Sequence, residues 1–140
     1  MIGSVRGTVL ERTPAGEVLV EVGGVGYRVL VPSGTLAAAE PGTATFLVTH
    51  LHVRDDAMVL YGFATREERD TFEILIATTG VGPKLALAML SAHSPNSLRR
   101  AVADGDLDAL CLVPGVGKRT AQRLLVDLRS RLDQIGRAHV

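Results

Sequence analysis

A chain of 140 residues has room for one good core or two small ones, which excludes a large multi-domain enzyme. Its 15 basic and 15 acidic side chains balance to a formal charge of zero, so no global charge marks it for nucleic acid or a membrane. The single cysteine, Cys111, excludes an internal disulfide framework. With no apolar run of about 18 residues and an alternating N-terminus, the expectation is a soluble protein of the reducing cytoplasm.

The first 63 residues read as β structure. "SVRGTVLER", "EVLVEV", "YRVLV", "ATFLVTHLHV" and "MVLYGF" are short stretches rich in Val, Leu, Thr and aromatics, and much of their length alternates polar with apolar. Turn residues separate them: Thr13-Pro14-Ala15-Gly16, Gly23-Gly24 and Pro41-Gly42. "SGTLAAAE", between the third and fourth strands, suits a short helix. Five strands with one helical insert predict a small closed barrel of the OB type rather than a sandwich.

From residue 64 the pattern becomes helical. Thr65-Arg66-Glu67-Glu68 has the spacing of a capping box, and Phe72, Leu75 and Ile76 give an apolar face behind it. "PKLALAML" is the next helix. Ser94-Pro95 then provides an N-cap followed by proline at the first helical position, and Asp104-Gly105 a stop. "LDALCL" and "KRTAQRLLVDLRSRL" complete five short helices, and residues 135–140 are expected to fray. The fold class is therefore α+β, with a barrel over 1–63 followed by an all-α domain over 64–140.

The helical half repeats itself. "TTGVGPKLALAMLSAH" and "VPGVGKRTAQRLLVDL" both place Gly-Val-Gly and a cation at the mouth of a helix, with Gly80 and Gly115 exactly one repeat of 35 residues apart. The first amides of a helix lack internal partners and sit at the positive end of its dipole. Glycines let a backbone approach a ligand closely. Together they make an anion cradle, typically for phosphate, here flanked by Lys84 in one copy and by Lys118, Arg119 and Arg123 in the other. The first copy's helix is mostly apolar, so the second carries most of the charge. The halves of the chain agree in sign: residues 1–63 carry four arginines against six acids, and residues 64–140 eleven cations against nine acids.

A free nucleotide fits these cradles poorly. The P-loop pattern fails because Leu112 stands where its first glycine should be and Arg119 follows Lys118. The dinucleotide pattern fails at Leu85, and at Val29 after Gly24-Val25-Gly26. Two small cradles spaced for successive phosphates suit a polynucleotide backbone, whose contacts position a protein without reading sequence. Other candidates point to structure. His50 and His52 share a strand face with no third ligand except Asp55, so no metal site is expected. Cys111 reads as a core thiol, and Asp55-Asp56 as turn residues. No paired acids or Ser-His-Asp arrangement indicates catalysis.

Five segments, "MIGSVRGTV", "EVGGVGYRVLVP", "THLHVRDDAMVLYGF", "TTGVGPKLALAML" and "VPGVGKRTAQRLL", resemble in order and spacing the RuvA family of Holliday-junction branch-migration proteins, across essentially the whole length. The resemblance implies an OB-type domain followed by two helix-hairpin-helix motifs. It also implies a fourfold tetramer, single or as two tetramers face to face, that holds a four-way junction flat and square. Gly80, Gly82, Lys84, Gly115, Gly117, Lys118, Arg119 and Arg123 fall where the family grips DNA backbone. Asp55 and Asp56 fall on its acidic pin at the junction centre, and Arg54 beside it either steadies the turn or meets a phosphate. The implied partners are the RuvB ATPase motor and the RuvC resolvase, in homologous recombination and DNA repair, with no cofactor or metal in this chain. Family members continue into a third helical domain that contacts RuvB, and the sequence ends at Val140 before it. Two other readings stay open at this stage: a general duplex-binding module without junction preference, and a base-excision glycosylase carrying the same hairpin, for which Asp127 is a poor catalytic candidate.

Overall fold

The computed structural model describes the backbone of residues 1–138, and side chains as far as residue 132 except that of residue 130. Five strands come first: β1 (Ser4–Arg12), β2 (Glu17–Val22), β3 (Val25–Leu30), β4 (Ala44–Arg54) and β5 (Ala57–Phe63), with α1 (Ser33–Ala38) between β3 and β4. They close in the order β1-β2-β3-β5-β4. All pairings are antiparallel except β3 with β5, where Val29 faces Leu60 and Leu30 faces Tyr61. This is the five-stranded OB-type barrel.

Closure depends on β1. Its first half pairs with β4 from Ser4 to Thr8 and its second with β2 from Thr8 to Arg12. A register shift between Val9 and Glu11 leaves Leu10 as the extra residue, and such a bulge bends a strand between two partners. The interior is filled by Val5, Val9, Val18, Val20, Val29, Val31, Ala39, Leu47 and Leu60. Small branched side chains suit so narrow a lumen. Arg12 fixes α1 across the barrel: its Nη1 donates to the carbonyls of Leu36, Ala37 and Ala39 at 3.2, 3.0 and 3.2 Å, and its Nη2 meets the Glu40 carboxylate at 3.4 Å. A cation among the free carbonyls at a helix C-terminus is electrostatically well placed.

The chain divides into two compact units, Met1–Arg69 and Asp70–Val140. The division falls inside α2 (Arg66–Ile76), which is followed by α3 (Pro83–Ala92), α4 (Pro95–Asp104), α5 (Leu107–Cys111) and α6 (Lys118–Ala138). Thr65 Oγ1 accepts from the Glu68 amide at 3.1 Å and donates to the Glu68 carboxylate at 3.4 Å. The expected capping box therefore closes through the hydroxyl on both sides. Ser94 caps α4 by accepting from the Ser97 amide at 3.1 Å. Gly105, at φ +67°, ends α4, with the Asp106 amide donating back to Ala101 O at 2.9 Å, the pattern of a Schellman cap.

The sequence repeat is a repeat of packing. At the same 35-residue offset, Leu75 and Leu110, Thr78 and Val113, Val81 and Val116, Ala86 and Ala121, Met89 and Leu124, and His93 and Leu128 are all buried. Hairpin α2–α3 and hairpin α5–α6 thus contribute equivalent faces to one core, and α4 joins them. Two of these positions are polar: Thr78, whose hydroxyl donates to Ile74 O at 3.0 Å, and His93. The histidine is held by its ring nitrogens. Its Nε2 donates to Ala109 O at 2.8 Å and its Nδ1 meets Ser97 Oγ at 3.1 Å, which satisfies a buried ring between α4 and α5.

α6 runs as far as Ala138, and residues 139 and 140, the end of the tail expected to fray, lie outside the described residues. One expectation needs correction. Cys111 is half-buried rather than a core thiol, because in α5 it is Leu110 that takes the inward position.

Candidate nucleic-acid interface

Both hairpins are joined by the same turn. In the first, the Val81 amide donates to Thr78 O at 3.1 Å around Thr79-Gly80; in the second, the Val116 amide donates to Val113 O at 3.0 Å around Pro114-Gly115. Gly80 has φ +83° and Gly115 φ +88°. A positive φ at the third turn residue with a closing hydrogen bond defines a type II turn, which calls for glycine there and favours proline just before it. The middle valines, Val81 and Val116, are buried and anchor each turn to the core.

The next glycine opens the helix. Gly82 is the N-cap of α3, in extended conformation and with no side-chain cap; its carbonyl accepts from the Ala86 amide at 3.0 Å. Gly117 does the same for α6, accepting from the Ala121 amide at 2.8 Å. A glycine N-cap leaves the first-turn amides without a side-chain acceptor and without a Cβ in front of them. At Gly82, Gly115 and Gly117 a Cβ would meet nothing within 4 Å, so these turns present open backbone. Lys84, Lys118, Arg119 and Arg123 are all exposed. Such an arrangement can hold an anion by amides and full charges together. One structural fact was invisible in the spacing: the Arg123 side chain, from α6, lies against Gly80 of the other hairpin.

Asp55 and Asp56 belong to the other unit and occupy the two-residue turn between β4 and β5, where Arg54 pairs with Ala57. Both are exposed. Neither has a positive φ, since glycines alone do so among the described residues. Below them on the same hairpin, Val53 and Met58 face each other while remaining 63% and 73% exposed. Arg54 acts on Tyr61: burial pushes the tyrosine hydroxyl above its ordinary pKa, and the Arg54 charge pulls it back. His50 and His52 lie on β4 with ring centroids 6.0 Å apart. Among the described residues no three His, Cys, Asp or Glu side chains gather as a metal site requires, and no helix is long and apolar enough to cross a membrane.

Comparison with known proteins accounts for both units. Residues 1–62 match the RuvA N terminal domain, and residues 72–130 match the SAM-like helix-hairpin-helix tandem. Proteins named Holliday junction branch migration complex subunit RuvA are similar throughout. That of Mycobacterium ulcerans is 50% identical over 138 residues, covering 99% of this chain and 70% of the relative. That of Alkalilimnicola ehrlichii is 53% identical over 134 residues, covering 95% and 64%, and that of Acidothermus cellulolyticus is 51% identical over 132, covering 94% and 67%. With an OB-type barrel, a helix-hairpin-helix tandem and this degree of identity, the chain belongs to the RuvA family.

Proposed function

We propose that this chain is a non-catalytic DNA-binding subunit that recognises four-way junctions by shape and charge. It holds the junction open and square while a RuvB ATPase motor drives branch migration in recombination and repair, and a RuvC resolvase completes the assembly. The observation that carries this reading is the duplicated hairpin mouth: two type II turns with glycines at φ +83° and +88°, each leading into a glycine-capped helix beside exposed cations. Gly80, Gly82 and Lys84 form one grip on DNA backbone, and Gly115, Gly117, Lys118 and Arg119 another. Contacts of this kind fix the protein's position on the duplex without reading bases.

Asp55 and Asp56 have the opposite task. In a fourfold tetramer eight such carboxylates surround the crossover. A carboxylate about 6 Å from a phosphate repels it by about 0.7 kcal/mol in bulk water and about 3 kcal/mol at an effective dielectric near 20. Summed around the centre, this discourages continuous duplex from lying there and helps part strands that exchange partners.

The test is a pair of titrations at one fixed salt concentration, with an immobile four-way junction and with a linear duplex of the same arm sequence. A junction preference of at least tenfold is expected, with a steep loss of affinity as salt rises, since each neutralised phosphate contributes about −0.9 to the log–log slope. Equal affinities would return the chain to a general duplex-binding module. Mass measurement of the same complex checks the assembly: a tetramer on the junction is expected, and stable monomers at micromolar concentration contradict it.

A further inference from the structure

The two hairpin mouths differ in charge. The first holds Lys84 and the second Lys118 and Arg119, so the first reads as the weaker grip. Arg123 changes that. At the 35-residue offset its counterpart is Ala88, so no equivalent cation reaches from the first copy. The guanidinium does not cover its own hairpin's turn, because a Cβ built at Gly115 meets nothing within 4 Å. A Cβ built at Gly80 would instead stand 2.9 Å from Arg123 Nη2, 3.1 Å from Cζ and 3.3 Å from Nη1. An approach to the edge of the group would leave Cζ farther away than both nitrogens. With Cζ intermediate, the guanidinium lies broadside over Gly80, and its N–H donors point outward in their plane. No acceptor among the described residues engages Arg123, and the side chain is exposed. Two demands thus converge on Gly80: a φ of +83° and a planar cation where a side chain would begin.

We propose that Arg123 is the second cation of the first hairpin's phosphate site, acting with Lys84 on a DNA backbone phosphate held at the Gly80–Gly82 turn, and not a reinforcement of Lys118 and Arg119. The second repeat thereby completes the site of the first. Each mouth then has two cations, and the pair grips successive phosphates with comparable strength. A planar fork suits this place, since it can rest on the glycine and still present parallel donors to phosphate oxygens. This assignment rests on the junction-binding reading above and refines it.

The experiment is a pair of double-mutant cycles on junction affinity, using the 140-residue chain at fixed salt: Lys84→Ala with Arg123→Ala, and Lys118→Ala with Arg123→Ala. All three side chains are exposed, so the core is untouched. Cations on different phosphates should lose affinity independently, the Lys118/Arg123 double falling within about twofold of the product of the single losses. Cations sharing one phosphate act as a unit, and the Lys84/Arg123 double should depart from the product by about threefold or more. Coupling to Lys118 instead, to both lysines or to neither overturns the assignment. A wild-type chain that binds junction no better than duplex defeats the functional reading itself, whereas a junction binder with the wrong coupling defeats only this inference.

Discussion

The hairpin mouths and the β4–β5 turn are both charged surface turns, yet their residues are there for different reasons. At the mouths, backbone and sequence agree: glycine occupies the positions with φ of +83° and +88°, where any other residue is strained. The β4–β5 turn can be judged against its own barrel. The β2–β3 hairpin also has a two-residue turn, Gly23-Gly24, with Val22 facing Val25 and φ of +58° and +89°. That is the type I′ form whose twist matches the flanking strands. Asp55-Asp56 spans the same gap without positive φ, a form that splays the strands, and it places two like charges side by side. The fold accounts for the glycines. Asp-Asp is one of several pairs that fit such a turn, and the proposed reason for these two is the charge they bring to DNA.

The largest expected effect tests the charged side of this contrast. Lys118→Ala with Arg119→Ala should weaken junction binding by about a hundredfold, since the proposed tetramer would repeat the loss in every subunit, and should flatten the salt dependence. Folding should be unaffected, as both side chains are exposed. Anisotropy titrations at several salt concentrations read both quantities. Normal binding by the double variant would leave the mouths as mere turns.

The glycines come next. Gly115→Ala meets no neighbour within 4 Å, so its expected loss of about 1 to 2 kcal/mol in urea denaturation is the left-handed backbone term alone. Gly80→Ala carries the same strain and must also displace Arg123. It should therefore be the more harmful to junction binding, while matching Gly115→Ala in stability to within about 0.5 kcal/mol because the guanidinium is exposed and can move. Equal effects on binding would mean that the cation over Gly80 does nothing there.

Much of this architecture was legible in the sequence, for identifiable reasons. Alternation, turn residues and the helical insert marked the barrel, and Ser94-Pro95, Asp104-Gly105 and the doubled Gly-Val-Gly marked helix ends that the structure places within a residue or so. These are local signals, and local physics produces them. What was not legible is tertiary. Nothing in the spacing of Arg119 and Arg123 shows that the second of them crosses to the other repeat. The half-burial of Cys111 depends on which side of a five-residue helix meets the core, and so short an apolar stretch has no periodicity to tell. The conformation of the Asp-Asp turn was equally hidden, since aspartate is at home in several turn types.

Removing the charge of that turn gives a smaller effect with a definite direction. Asp55→Asn with Asp56→Asn should leave stability within about 0.5 kcal/mol, because Asn suits turns as well as Asp does. Linear duplex should bind several-fold more tightly and junction less so, shrinking the preference between them. An unchanged ratio would leave the aspartates as turn residues only.

The smallest effect separates charge from backbone geometry at the same two positions. Asn-Gly is the preferred sequence for a type I′ turn, so Asp55→Asn with Asp56→Gly offers this hairpin the form that Gly23-Gly24 already takes. If Asp-Asp stands there against the preference of the strands, the variant should gain a few tenths of a kcal/mol and at most about 1 kcal/mol, as turn optimisation at other proteins' surfaces does. The gain is small because only one turn changes and glycine adds entropy to the unfolded chain. Its DNA binding should match that of the Asn-Asn variant, since both lack the same charges. Urea denaturation of the two variants and the wild type reads the stability, and the paired junction and duplex titrations read the binding. A loss of stability with Asn-Gly would show that this hairpin's twist requires the turn it has, making the backbone and not the crossover the reason for the residues found there. A gain, together with a shrunken junction preference, would mean that the aspartates are kept for their charge at some expense to the hairpin.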